Sequence, residues 1–194
     1  METEEKLTFY LVRHGQYDPD SATDWRGGGL TDLGWQQAAR IAARLAGCPI
    51  RRIETSSLLR AVQTASVIIQ SFPYLKAKPS RLLWELVPPF AQADAHHFTR
   101  NSPAELAESA RRAELAWQHF FVAGRKRGED TLIVAHGNLI RYFACRALGV
   151  DPTVWLRAET HNCGLTILAY QDGFWRLVSL NDTGHLPEEM KTSI

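Results

Sequence analysis

Two runs, Leu7–Val12 (LTFYLV) and Thr131–Ala135 (TLIVA), carry apolar side chains on consecutive positions instead of alternating ones. A strand of that kind must be covered on both faces, which a parallel sheet between two helix layers provides. Helical patterns fall between the strands. The first runs from Thr31-Asp32 to about Ala46, with Thr31 as N-cap and Leu33, Ala38, Ile41, Ala42 and Leu45 on one face; Gly47 and Pro49 end it. Ile50–Thr55 reads as a second strand, and Ser56 or Ser57 as the cap of a helix over Leu58–Ser71. Arg81–Trp84 reads as a third, weaker strand, and residues 86–101, with Pro88-Pro89 and His96-His97, as a loop-rich insertion. A long helix follows from Ser102-Pro103 to about Lys126, where Glu105 completes a capping box. Asn138–Leu148 is helical and closed by Gly149, and Gly164–Tyr170 with Phe174–Leu180 makes a final hairpin. The alternation predicts an α/β fold, a three-layer αβα sandwich with a mostly parallel central sheet. One domain is expected over residues 1–194, with its core at about 7–186.

In such sheets ligands bind beyond the carboxyl ends of the strands. Arg13 and His14 follow the first strand, and Ser56-Ser57 the second, with Arg60 one helical turn on. Glu85 follows the third, and His136-Gly137-Asn138 follows TLIVA. Two arginines, two histidines and a carboxylate therefore gather at one sheet edge. That set suits a phosphate monoester: Arg13 and Arg60 offer forked donors that lysines could not. The helix opening at Asn138 aims free N–H groups at the same place, and Gly137 lets its backbone come close.

A nucleophile has to come from this set. Cysteine phosphatase chemistry needs CxxxxxR, but six residues after Cys48, Cys145 and Cys163 stand Glu54, Asp151 and Ala169. Asp18-Pro19-Asp20 lies beyond the strand end and has Ala22 where an aspartyl-phosphate enzyme needs Thr or Val. GxSxG, HExxH and GxxxxGK[ST] are absent from the sequence. Histidine remains. Imidazole titrates near neutrality, so one ring nitrogen is free to attack while the other is held by a backbone carbonyl.

The formal net charge of +1 gives no reason to expect nucleic acid as a partner. METEEKL is acidic and polar, unlike a signal or transit peptide, and no apolar run approaches the roughly 20 residues that span a bilayer. Three scattered cysteines make no disulfide framework and no zinc pair. A cytoplasmic protein without membrane, metal or cofactor is expected, with a homodimer left open. Asn181-Asp182-Thr183 is formally a glycosylation sequon and carries no weight in a protein that is not secreted. His96, His97 and His119 are assigned to packing or surface; His161 and His185 share that assignment, with the pocket rim as its alternative.

Leu11-Val12-Arg13-His14-Gly15 resembles the first motif of the histidine phosphatase superfamily, which includes the cofactor-dependent phosphoglycerate mutases. Leu30-Thr31-Asp32-Leu33-Gly34 is similar to its LTxxG, and residues 56–65 (SSLLRAVQTA) to its SSxxxRAxxTA segment. Ala135-His136-Gly137-Asn138 resembles its second histidine motif, and Asn162-Cys163-Gly164 the start of its late strand. The likeness covers roughly residues 7–186. It implies that His14 is phosphorylated, that Arg13, Arg60 and His136 bind the phosphoryl group, and that Glu85 protonates the leaving alkoxide and then activates water. Gln16, Gly137 and Asn138 complete the expected substrate contacts. Within the superfamily, residues 13–18 (RHGQYD), 138–148 and 181–187 (NDTGHLP) look most like its mitochondrial serine/threonine protein phosphatases. That branch carries an N-terminal membrane anchor and a multimerising segment, neither of which is read here. The expected substrate is protein phosphoserine or phosphothreonine, with a small phosphorylated metabolite as the alternative. A mutase is disfavoured by the short chain, and a phosphate-binding adaptor by the presence of every histidine and arginine.

Overall fold

The computed structural model describes residues 6–193, so most of the acidic opening lies outside the described residues. Along β1 (Leu7–Arg13), Phe9 and Leu11 enter one core, while Tyr10 and Val12 enter another on the opposite face. β4 (Thr131–Ala135) divides likewise, with Ile133 and Ala135 on the first side and Leu132 and Val134 on the second. This is why both strands are apolar at consecutive positions. The first core is closed by α3 (Pro103–Trp117) and α4 (Gly137–Leu148), the second by α1 (Asp32–Leu45) and α2 (Leu59–Ile68).

With β2 (Arg52–Ser56), β3 (Ala77–Ser80), β5 (Leu165–Gln171) and β6 (Phe174–Asp182), the sheet runs β3-β2-β4-β1-β5-β6. The β3-β2, β2-β4 and β4-β1 pairings are parallel, and β1-β5 and β5-β6 antiparallel. The three-layer, mostly parallel sandwich is therefore the fold. Its last two strands turn through Asp172 and Gly173, both at positive φ (53° and 90°), the conformation a two-residue hairpin turn requires.

Three local expectations fail. The third strand is Ala77–Ser80, and Arg81–Leu83 is a 3₁₀ turn. Pro79 is admissible in β3 only because it is an edge strand, and a short, half-exposed edge carries no apolar run to signal it. Neither serine caps α2: its N-cap is Leu58, whose N–H donates to Ser56 Oγ at 3.3 Å. The long helix changes character after Trp117, passing through a π segment at Gln118–Val122 and a 3₁₀ turn at Gly124–Arg127. Phe120 and Phe121 are both buried in the π segment.

Candidate active site

The parallel register places Arg13 beside Ala135, and the next residue extends the ladder, with His14 N–H donating to the Ala135 carbonyl at 3.0 Å. His14 and His136, each one residue past its strand, are consequently neighbours with ring centroids 5.0 Å apart. His14 is almost fully buried, at 2% exposure. Its Nδ1 lies 2.8 Å from the Gly15 carbonyl, and its Nε2 lies 3.1 Å from Arg60 Nε. A carbonyl can only accept and an arginine Nε can only donate, so the ring proton sits on Nδ1 and the lone pair on Nε2. Burial holds the imidazole well below its ordinary pKa, and the Arg60 and Arg13 guanidiniums add to that. The group is thus neutral, with one nucleophilic nitrogen.

His136 is fully buried and held from β2, with Nε2 2.8 Å from Ser56 Oγ. Its Nδ1 has no partner, and burial lowers its pKa, with the Arg60 and Arg13 guanidiniums acting in the same direction. Arg13 donates through Nη1 to the Thr160 carbonyl (2.7 Å) and the Ser193 carbonyl (2.9 Å), while its buried Nε is unpartnered. Two buried nitrogens without protein partners therefore meet at one strand edge, available to an anionic ligand. Arg60, buried on α2, also stacks over the Tyr17 ring at 4.4 Å.

A cavity of about 550 Å³ opens beside this cluster, lined by Arg13, Glu85, Gly137, Asn138, Arg141, Glu159, Thr160, His161 and Ser193. Burial raises the Glu85 carboxyl above its ordinary range, against the Leu86 N–H and the Arg13, Arg60 and Arg141 charges, which all lower it. Burial wins, so Glu85 is suited to hold a proton. Asn138 bridges the cavity wall, donating to the Leu86 carbonyl and accepting from Arg141 Nη2. The space above Gly137 is taken by Thr160, whose Oγ1 would lie 2.8 Å from an added Cβ. That glycine makes room for the protein's own hydroxyl.

Gln16 does not join the cluster through its side chain: its Oε1 accepts from Thr31 Oγ1 at 2.9 Å, tying the loop to the N-cap of α1. The same loop crosses α1 without room for side chains. A Cβ on Gly15 would lie 2.5 Å from the Gly34 carbonyl oxygen, and one on Gly34 would lie 2.0 Å from that of Gln16. Just beyond, a Tyr17–Leu30 bridge and the Asp18 N–H to Gly29 carbonyl bond (3.0 Å) close a neck under residues 19–28.

Arg141, Thr160, Glu159, Ser193 and Tyr17 were not anticipated. Arg141 follows Gly137 by four positions, hence one helical turn, which was a usable signal. Thr160 and Ser193 arrive through tertiary folding alone. Of the two histidines left open, His161 reaches the cavity, whereas His185 sits elsewhere with Nε2 3.0 Å from the Cys163 carbonyl.

The model of the histidine phosphatase superfamily (branch 1) matches residues 9–183. The chain belongs to that superfamily. Among curated relatives, the mitochondrial serine/threonine-protein phosphatase Pgam5 of Caenorhabditis elegans is 36% identical over 184 residues, covering 92% of this chain and 63% of that protein. Its Homo sapiens namesake is 31% identical over 189 residues, covering 94% and 65%. The chain thus spans just under two thirds of their length. A phosphoserine phosphatase from Entamoeba histolytica, solved with 3-phosphoglyceric acid, matches the histidine phosphatase fold with TM-score 0.72 at 22% identity, covering 93% of this chain and all of that one. Both curated relatives are named as mitochondrial, which overturns the cytoplasmic expectation. Cysteine usage reports only that no disulfide framework exists, and a reducing interior is not one compartment.

Proposed function

We propose that this histidine phosphatase domain hydrolyses phosphate monoesters through a phosphohistidine on His14, without a metal. The carrying observation is the His14 ring, buried and neutral, with its proton fixed on Nδ1 and its lone pair on Nε2. In the first step Nε2 attacks phosphorus, the P–N bond forms, the P–O ester bond breaks, and the leaving alkoxide takes the Glu85 proton. In the second, Glu85 takes a proton from water, whose oxygen attacks phosphorus; the P–N bond breaks and inorganic phosphate departs. Arg60, Arg13 and the orphaned Nδ1 of His136 stabilise the equatorial oxygens. Among the described residues no group of three or more His, Cys, Asp or Glu is arranged to hold a metal, and the cations already present supply the charge.

Protein phosphoserine or phosphothreonine is the favoured substrate class, supported by the names of the curated relatives, as is a mitochondrial compartment. A small phosphorylated metabolite is the second reading, and the Arg141 charge beside the cavity favours it if that metabolite carries a second anionic group. Neither reading calls for nucleic acid or a membrane, and both leave a homodimer open. The test is an alkaline, denaturing quench during turnover in EDTA. The enzyme should carry an acid-labile, base-stable phosphate, and His14→Ala should lose both phosphate and activity. A His14→Ala enzyme with near-normal turnover would overturn the mechanism.

A further inference from the structure

Asn181 stands near the end of β6 at φ +52°, a left-handed conformation that asparagine tolerates better than most residues. Its Oδ1 lies 2.7 Å from the His161 backbone nitrogen, and its Nδ2 2.8 Å from His161 Nδ1. The first contact fixes the second. A backbone N–H only donates, so the amide oxygen faces it and the NH₂ faces the ring. An NH₂ only donates, so Nδ1 carries the lone pair and the neutral ring keeps its proton on Nε2. That nitrogen has no partner among the described residues, and the ring lines the cavity with Glu85 and Arg141.

The surrounding backbone preserves this arrangement. Asn181 N–H donates to Thr166 Oγ1 at 3.1 Å. Gly164 N–H donates to the His161 carbonyl at 2.9 Å, and a Cβ on Gly164 would lie 2.3 Å from Asn181 Oδ1. Any side chain at 164 would therefore expel the amide. The residue before His161 is held by Arg13, which donates to the Thr160 carbonyl. His161 is not a partner of His14, Arg60 or His136, so its donor serves something other than the phosphoryl group.

We propose that His161 is a substrate-binding residue, clamped by Asn181 so that its Nε2–H takes an oxygen acceptor on the group esterified to the phosphate. That acceptor is a peptide carbonyl in a phosphoprotein or the carboxylate of a free phosphoamino acid. The inference rests on the phosphatase reading and adds a subsite to it.

Three esters separate the possibilities: a phosphoserine peptide, free phosphoserine, and phenyl phosphate, which has no acceptor beyond the phosphate itself. His161→Phe keeps a ring and removes the donor. KM for the peptide, the amino acid or both should rise roughly 3–12-fold at nearly constant kcat, the worth of one net hydrogen bond, with phenyl phosphate moving less. A rise confined to the peptide identifies the carbonyl, and one confined to phosphoserine the carboxylate. His161→Gln, which restores a donor at the reach of Nε2, should recover part of the loss. Nitrogen–proton correlation spectra of the parent enzyme should show His161 protonated on Nε2. Unchanged KM for both acceptor-bearing esters in His161→Phe, or equal losses on all three, would overturn the proposal. A parent enzyme that hydrolyses none of the three would instead overturn the phosphatase reading. His161 would then be judged by equilibrium binding of the peptide, which the Phe variant must weaken for the subsite to stand.

Discussion

Arg60 does two things for His14 that a lysine cannot do together. Its Nε donates to His14 Nε2, and its planar guanidinium lies over the Tyr17 ring at 4.4 Å. Arg60→Lys keeps the charge but not the fork, and should lower kcat/KM by about 2–4 kcal/mol of transition-state stabilisation, the size of one lost oxyanion donor. Full activity in that variant, measured on an alkyl phosphate, would place Arg60 outside the reaction. The Glu85 prediction concerns pH. His14 must be neutral, and its pKa lies below the ordinary imidazole range; Glu85 must be protonated, and its pKa lies above the ordinary carboxylate range. The free-enzyme profile for an alkyl phosphate should therefore peak on the acidic side of neutrality and fall as Glu85 loses its proton. Glu85→Gln should flatten that alkaline limb and slow the alkyl ester by roughly 10²–10⁴-fold, with a much smaller effect on phosphorylation by nitrophenyl phosphate, whose leaving group needs no proton. An unchanged alkaline limb would send the search for the acid to another carboxylate.

Elements differ in how plainly the sequence announces them, and α3 is an announced one. Ser102 and Glu105 form both halves of a capping box, with Glu105 N–H donating to Ser102 Oγ at 3.3 Å and Ser102 N–H to Glu105 Oε2 at 2.7 Å. Ser102→Ala should cost about 1 kcal/mol of unfolding free energy, read by urea denaturation, with kcat unaffected. β1, β4, α1 and the terminal hairpin were legible for comparable local reasons: a doubly covered apolar run, a capping threonine, an Asp-Gly turn. β3 was not, because an edge strand is satisfied with Ala77-Lys78-Pro79-Ser80 and its pairing partner supplies what the local pattern lacks. The candidate site divides the same way. Strand ends are readable, so His14, Arg13, Arg60, His136 and Glu85 could be gathered in advance. Ser56 was placed as a cap, whereas its hydroxyl meets His136 across 80 residues, a relation no local periodicity encodes. The direction of the Gln16 side chain, whose Oε1 turns to Thr31 Oγ1, was not legible, because a motif gives only a residue's position in the chain.

For the molecule as a whole, the two buried histidines tie stability to pH. Both have folded pKa values depressed well below the ordinary imidazole range, chiefly by burial. The unfolded chain then binds more protons as pH falls from the ordinary imidazole value toward the folded ones, so stability declines across that window. Tm should fall on acidification from about pH 7.5 to pH 5, and the decline should be shallower in His136→Asn; equal slopes in both proteins would contradict the assignment. Acidity thus opposes the fold while it favours protonated Glu85, and both effects meet at one sheet edge. The crossing of Gly15 and Gly34 bears on a different matter, the room this architecture leaves for change. Below the neck at Tyr17–Leu30 neither glycine admits a Cβ, and above it the chain is anchored through the Arg26 carbonyl, which accepts from Leu59 N–H at 2.9 Å, and the Trp25 ring against Trp84, while residues 18–24 are exposed. Doubling such a loop costs only about 0.6 kcal/mol in closure entropy. Residues 19–24, exposed and ahead of both anchors, are therefore the segment where a protein engineer could graft a new recognition loop and leave the machinery beneath it untouched.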